Sequence, residues 1–95
     1  MKILIEMTPE HYDGFLDKCF TVDRLPEYSI LKGGVIIHRQ IGGMERRIIV
    51  MLCEESQAHT LLNAARTLSV PAAEDLVRAM DPLRELLSRR LFATL

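Results

Sequence analysis

Val35-Ile36-Ile37-His38-Arg39-Gln40-Ile41-Gly42-Gly43-Met44-Glu45-Arg46-Arg47-Ile48-Ile49-Val50-Met51-Leu52-Cys53 is the stretch that decides the fold. Two runs rich in β-branched residues flank a pair of glycines. A two-residue hairpin turn needs positive φ at its central positions, which glycine adopts at no steric cost. The pattern predicts an antiparallel hairpin with strands over 35–41 and 44–53.

A turn at Gly42-Gly43 also sets the register, because paired residue numbers must then add to 85. Ile41 faces Met44, Arg39 faces Arg46, Ile37 faces Ile48 and Val35 faces Val50. On the opposite face Gln40 meets Glu45, His38 meets Arg47 and Ile36 meets Ile49. Side chains alternate between faces along a strand, so the inner half of the hairpin is apolar on both. Val35, Ile37, Ile48, Val50 and Leu52 form one apolar set, and Ile36, Ile49, Met51 and Cys53 the other.

Before the hairpin, Lys2 to Met7 alternates, with Ile3, Ile5 and Met7 on one face, as a strand should. Thr8-Pro9 supplies a hydroxyl for an N-cap and a proline for the first helical position. Tyr12, Phe15, Leu16, Cys19 and Phe20 then recur at helical spacing. Thr21 to Tyr28 reads as a loop punctuated by Pro26. Lys32-Gly33-Gly34 reads as a bend where the strand begins, with an amide nest for an anion as the competing reading.

After the hairpin, Ser56 is positioned to cap a helix carrying Ala58, Leu61, Leu62, Ala65 and Leu68. Ser69-Val70-Pro71 breaks it. A further helix opens with Glu74 and Asp75 in its first turn and carries Ala73, Leu76, Val77 and Met80. Asp81-Pro82 then either starts another helix or kinks this one, and Leu83, Leu86, Leu87 and Leu91 follow.

The order of elements is βαββα followed by helix. This implies one α+β domain over 1–95, a ferredoxin-like plait core over 1–70 and a C-terminal helical extension over 71–95. The expected architecture is the antiparallel hairpin plus the N-terminal strand, with helices on one face of the sheet. In topology the chain resembles small signalling proteins of the PII and CutA type and the dimeric α+β barrel proteins. No motif accompanies that likeness, so no functional residue is carried across.

Composition narrows the function classes. The 95 residues are 48% hydrophobic and 5% aromatic, and 12 basic against 13 acidic side chains leave a net charge of −1. Near-neutrality argues against an electrostatically driven nucleic-acid binder. The longest apolar runs, such as 48–53, fall well short of the ~20 residues that span a bilayer. Two cysteines, outside any metal-type pair, fit reduced thiols in a cytoplasmic protein. No metal or cofactor is expected.

Two features carry the functional expectation. The second apolar face of the hairpin needs a cover, from a partner's sheet or from the C-terminal helices. With the leucines at four-residue spacing, it points to a homo-oligomer, a dimer first, through Ile36, Ile49, Met51, Leu83, Leu87 and Leu91. The hairpin tip carries basic side chains, and Arg39 opposite Arg46 is a like-charge pair that needs an anion between its members. His38, Arg39, Arg46, Arg47 and Lys32 are therefore the candidate contacts for a phosphate or carboxylate ligand, against the plainer reading of a solvated tip.

The leading expectation is a small homo-oligomeric ligand-binding or regulatory module without catalysis. The first alternative is a dimeric-barrel enzyme, with Glu6 and His38 projecting from one sheet face as an acid–base pair. The second is an adaptor that binds another protein through its terminal helix.

Overall fold

The computed structural model describes residues 2–81. In chain order these form β1 (Lys2–Met7), α1 (Pro9–Thr21), α2 (Leu25–Leu31), β2 (Val35–Ile41), β3 (Met44–Glu54) and α3 (Glu55–Thr67). A fourth helix, α4, occupies residues 72–81. Leu83, Leu86, Leu87 and Leu91, and the role of Pro82, lie outside the described residues.

The hairpin takes the register its glycines dictate. Gly42 and Gly43 have φ of 59° and 78°. Val35 pairs with Val50, Ile36 with Ile49, Ile37 with Ile48, His38 with Arg47 and Arg39 with Arg46. β1 pairs antiparallel with the inner half of β3, Ile3 against Cys53, Ile5 against Met51 and Met7 against Ile49. The result is a three-stranded antiparallel sheet in the order β1-β3-β2. β1 and β2 thus run parallel to each other with β3 between them.

One face of this sheet is packed by helices. Ile3, Ile5, Met7, Ile49, Met51 and Cys53 are buried there with Phe15 and Cys19 of α1, Leu31 of α2, and Ala58, Leu61, Leu62, Ala64 and Ala65 of α3. α4 adds Ala72, Leu76 and Met80 to the same core. The helix starts follow from local chemistry. Thr8 Oγ1 accepts from the His11 N–H at 3.2 Å, with Pro9 following in the first turn.

Three local expectations are corrected. Residues 25–31 form helix α2, not loop: Pro26 sits in its first turn, where a missing N–H costs nothing. The break before it is Asp23, whose φ of 61° ends α1. α3 is capped by Glu54 instead of Ser56. The Glu54 carboxylate and the Gln57 side chain close a reciprocal capping box. Phe20, placed on the core stripe of α1, is 65% exposed and stacks beside Tyr28 with ring centroids 5.7 Å apart.

Gly33-Gly34 ends α2 and forms no open nest. The Gly33 N–H donates to Ile30 O and the Gly34 N–H to Leu31 O, so neither is free for an anion. Gly34 is required by close packing. A β-carbon there would lie 2.9 Å from Ile49 Cγ2 and 2.9 Å from Tyr12 Cε2. Tyr12 cannot swing aside cheaply, because its hydroxyl donates to Leu31 O at 2.6 Å. Gly34→Ala is expected to destabilise the protein by about 1–3 kcal/mol, as overpacking does. Urea denaturation should show a lower midpoint at unchanged slope; an unmoved midpoint would mean that the Tyr12 ring is free to yield.

Candidate interaction surface

The pleat that buries Ile49 and Met51 turns their neighbours the other way. Leu4, Val35, Ile37, Ile48, Val50 and Leu52 share the face of the sheet opposite the helices. Leu4 is 53% exposed, Val35 59% and Leu52 62%. Leu4 and Leu52 are direct partners in the β1–β3 ladder. Val35 and Val50 continue the stripe across β2, and Ile37 opposite Ile48 completes it. Ile37, Ile48 and Val50 are half-buried, and α4 borders the stripe at Leu4, where Arg78 and Ala79 line a groove with Leu4 and Glu6.

The residues singled out for an oligomer contact are therefore distributed differently from the expectation. Ile49 and Met51 are each 3% exposed, buried beneath the helices of their own chain. A partner could not reach them without opening the core. Ile36 lies on that same face but beyond the helices, and is 57% exposed. Leu83, Leu87 and Leu91 lie outside the described residues.

The basic residues of the hairpin tip are likewise divided. Arg39 and Arg46 stand on the open face, His38 and Arg47 on the helix-covered one. Lys32 lies just before β2, at the end of that strand away from the turn, with its ammonium 5.6 Å from the centre of the Tyr28 ring. The five do not converge on one site.

The like-charge pair finds its anion within the chain. Arg39 Nη2 donates to Glu6 Oε1 at 2.8 Å, reaching from β2 over β3 to β1. This hydrogen bond holds the Glu6 carboxyl below its ordinary range, against the opposing effect of partial burial, and the Arg39 charge adds to it. Arg39 is in turn raised by the same bond. On the other face His38 Nδ1 lies 2.8 Å from Glu45 Oε1.

These contacts correct the acid–base expectation. β1 and β2 do not adjoin, and Glu6 and His38 project from opposite faces of the sheet. Glu6, held ionised by Arg39, is also a weaker base than an ordinary carboxylate. The thiols are no better placed as nucleophiles. Burial pushes both Cys19 and Cys53 above the ordinary thiol value, with Glu27 adding to the effect at Cys19 and Glu54 at Cys53. The imidazole of His59 lies on α3 with Nε2 3.7 Å from Glu55 Oε1.

Sequence reading missed one polar cluster altogether. Asp75 of α4 is 3% exposed, and its Oδ2 lies 2.7 Å from His11 Nδ1 of α1. Arg78 Nη1 approaches Oδ1 of the same carboxylate at 3.4 Å. The contact joins residues 64 apart in sequence. Its only local signal was an aspartate in the first turn of a helix, which the helix dipole explains by itself.

No helix among the described residues is long and apolar enough to cross a membrane. Nor does any group of three or more His, Cys, Asp or Glu side chains among them form a metal site. No protein-family model, no curated protein and no solved structure matches the chain.

Proposed function

We propose that the protein is a small homodimeric binding module without catalysis, working in a reducing compartment such as the cytoplasm. Its sheet is read as the first three strands of a ferredoxin-like plait, with β3 between β1 and β2. The observation that carries the proposal is the apolar stripe opposite the helices, with Leu4, Val35 and Leu52 exposed and Ile37, Ile48 and Val50 half-buried between them. Contiguous exposed apolar surface of this kind marks an interaction site in a soluble protein.

The occupant that fits is a second copy of the same face. The 6, 7 and 11 residues of β1, β2 and β3, with strands ~4.8 Å apart, outline roughly 400 Å² in plan, before side-chain relief is added. A standard interface takes ~800 Å² from each partner, so the sheet face supplies about half of one in plan. An isologous contact requires a self-complementary patch. The apolar stripe meets that requirement, and beside it Arg39 is already closed on Glu6 within the chain.

Light scattering coupled to gel filtration at micromolar concentration tests the reading. A dimer is expected. A monomer at every concentration would overturn it and leave the chain's own residues 82–95 as the cover.

A further inference from the structure

We infer that a cleft between the start of α1 and the hairpin is a binding site for a free amino acid with an apolar side chain. The cleft has a volume of about 350 Å³ and lies on the helix-covered face of the sheet, where the hairpin extends beyond the helices. That volume falls within the range of small-molecule pockets, ~300–1,000 Å³. The inference rests on the reading of the chain as a binding module, and does not depend on dimerisation.

The walls supply three kinds of contact. Ile36, Ile49 and the Tyr12 ring are apolar, Arg47 brings a cation, and Glu10 and Asp13 bring carboxylates. Ile36 is 57% exposed. Gly34 also lines the cleft, and any side chain at that position would collide with Tyr12 and Ile49.

The charges carry the argument further than the shape does. Arg47 stands directly across the hairpin from His38. The nearby carboxylate, Glu45, is engaged by His38 and leaves Arg47 without an ion-pair partner among the described residues. Glu10 and Asp13 likewise have none among them. Opposite charges that line one cleft without closing on each other present a bipolar field. A molecule bearing both an ammonium and a carboxylate can answer both signs at once. The arginine fork suits the carboxylate, the two acids suit the ammonium, and Ile36 with the half-buried Tyr12 ring suits an aliphatic or aromatic body. A simple anion would meet Arg47 but also the repulsion of Glu10 and Asp13. The Tyr12 hydroxyl takes no part, since it donates to Leu31 O.

The test is calorimetry and thermal shift on the full-length protein with the free amino acids at millimolar concentration. Leucine, isoleucine, methionine and phenylalanine are the leading probes, and their N-acetyl and carboxamide derivatives the controls. At least one of these amino acids is expected to bind and raise the melting temperature. Blocking either of its charged ends should weaken binding at least tenfold. Arg47→Gln, an exposed position with no partner to lose, should weaken it equally while leaving the unliganded melting temperature unchanged. Absence of binding by every amino acid would overturn the inference, and so would equal binding of the blocked derivatives. Light scattering on the same samples reads the oligomeric state separately, so a failed ligand is distinguishable from a failed dimer.

Discussion

Leu52→Lys is expected to convert the proposed dimer to a monomer while leaving the fold of each chain intact. Leu52 is 62% exposed in the single chain, so its replacement removes little that the monomer uses, and surface changes of this kind stay within about 0.5 kcal/mol. In the dimer the same position lies in the apolar stripe, next to its ladder partner Leu4. A lysine there must be desolvated against apolar side chains, and the two-fold brings a second lysine into the same interface. Such like-charge juxtapositions cost several kcal/mol, and ~3 kcal/mol corresponds to a dissociation constant raised about 100-fold.

A lysine can snorkel its ammonium to the rim, so Leu4→Lys combined with Leu52→Lys is the stricter variant. Sedimentation equilibrium across a concentration series reads the effect directly. A double variant as dimeric as the parent would exclude this face as the interface. A parent that is already monomeric and loses several degrees of melting temperature with Leu52→Lys would place residues 82–95 over the face instead.

The second large effect is expected at the contact between α1 and α4. Asp75→Ala removes a carboxylate whose side chain is 2% exposed and which ties His11 to α4. Loss of a buried, charge-assisted hydrogen bond costs about 2–3 kcal/mol. For a chain of 95 residues, each kcal/mol moves the melting temperature by about 4–8 °C. A drop of about 8–24 °C is therefore expected in a calorimetric scan.

The two partners are not equivalent, and the asymmetry makes the claim specific. After Asp75→Ala the imidazole remains 30% exposed and can turn to water. After His11→Ala the carboxylate is left enclosed, with Arg78 at 3.4 Å as its remaining partner. Arg78 is 75% exposed and compensates the enclosed carboxylate only in part, and a poorly compensated buried charge is the costlier outcome, so His11→Ala should melt at or below Asp75→Ala. Asp75→Asn, which keeps the shape and an acceptor, should recover part of the loss. If Asp75→Ala melts within a degree or two of the parent, α4 is held by Ala72, Leu76 and Met80 alone.

Much of the local structure was legible residue by residue. The hairpin and its register followed from Gly42-Gly43 between two β-branched runs. The start of α1 followed from Thr8-Pro9, and the buried side chains of β1 from simple alternation. The register contained one more consequence that a reading of the tip as one basic cluster passes over. Residues adjacent in sequence, such as Arg46 and Arg47, must leave a strand on opposite faces. Helix α2 was lost because Pro26 serves equally as a loop signal and as a first-turn helix residue.

These are decisions made within a few residues, where steric preference, side-chain period and capping have one favoured outcome. The sequence by itself determined the hairpin, its pairing and the amphipathic stripes of α1, α3 and α4. Only the tertiary structure decided which of two apolar hairpin faces the helices cover. Ile49 and Met51 on one side and Val50 and Leu52 on the other have nearly the same hydrophobicity. The choice between them depends on where β1 and the helices pack. The partners of Arg39 and Asp75 were decided in the same way. Glu6 reaches Arg39 because β3 separates β1 from β2, and His11 reaches Asp75 because α4 closes on α1. Both contacts span long stretches of chain, and the free energy that selects them exists only once the core has brought their elements together.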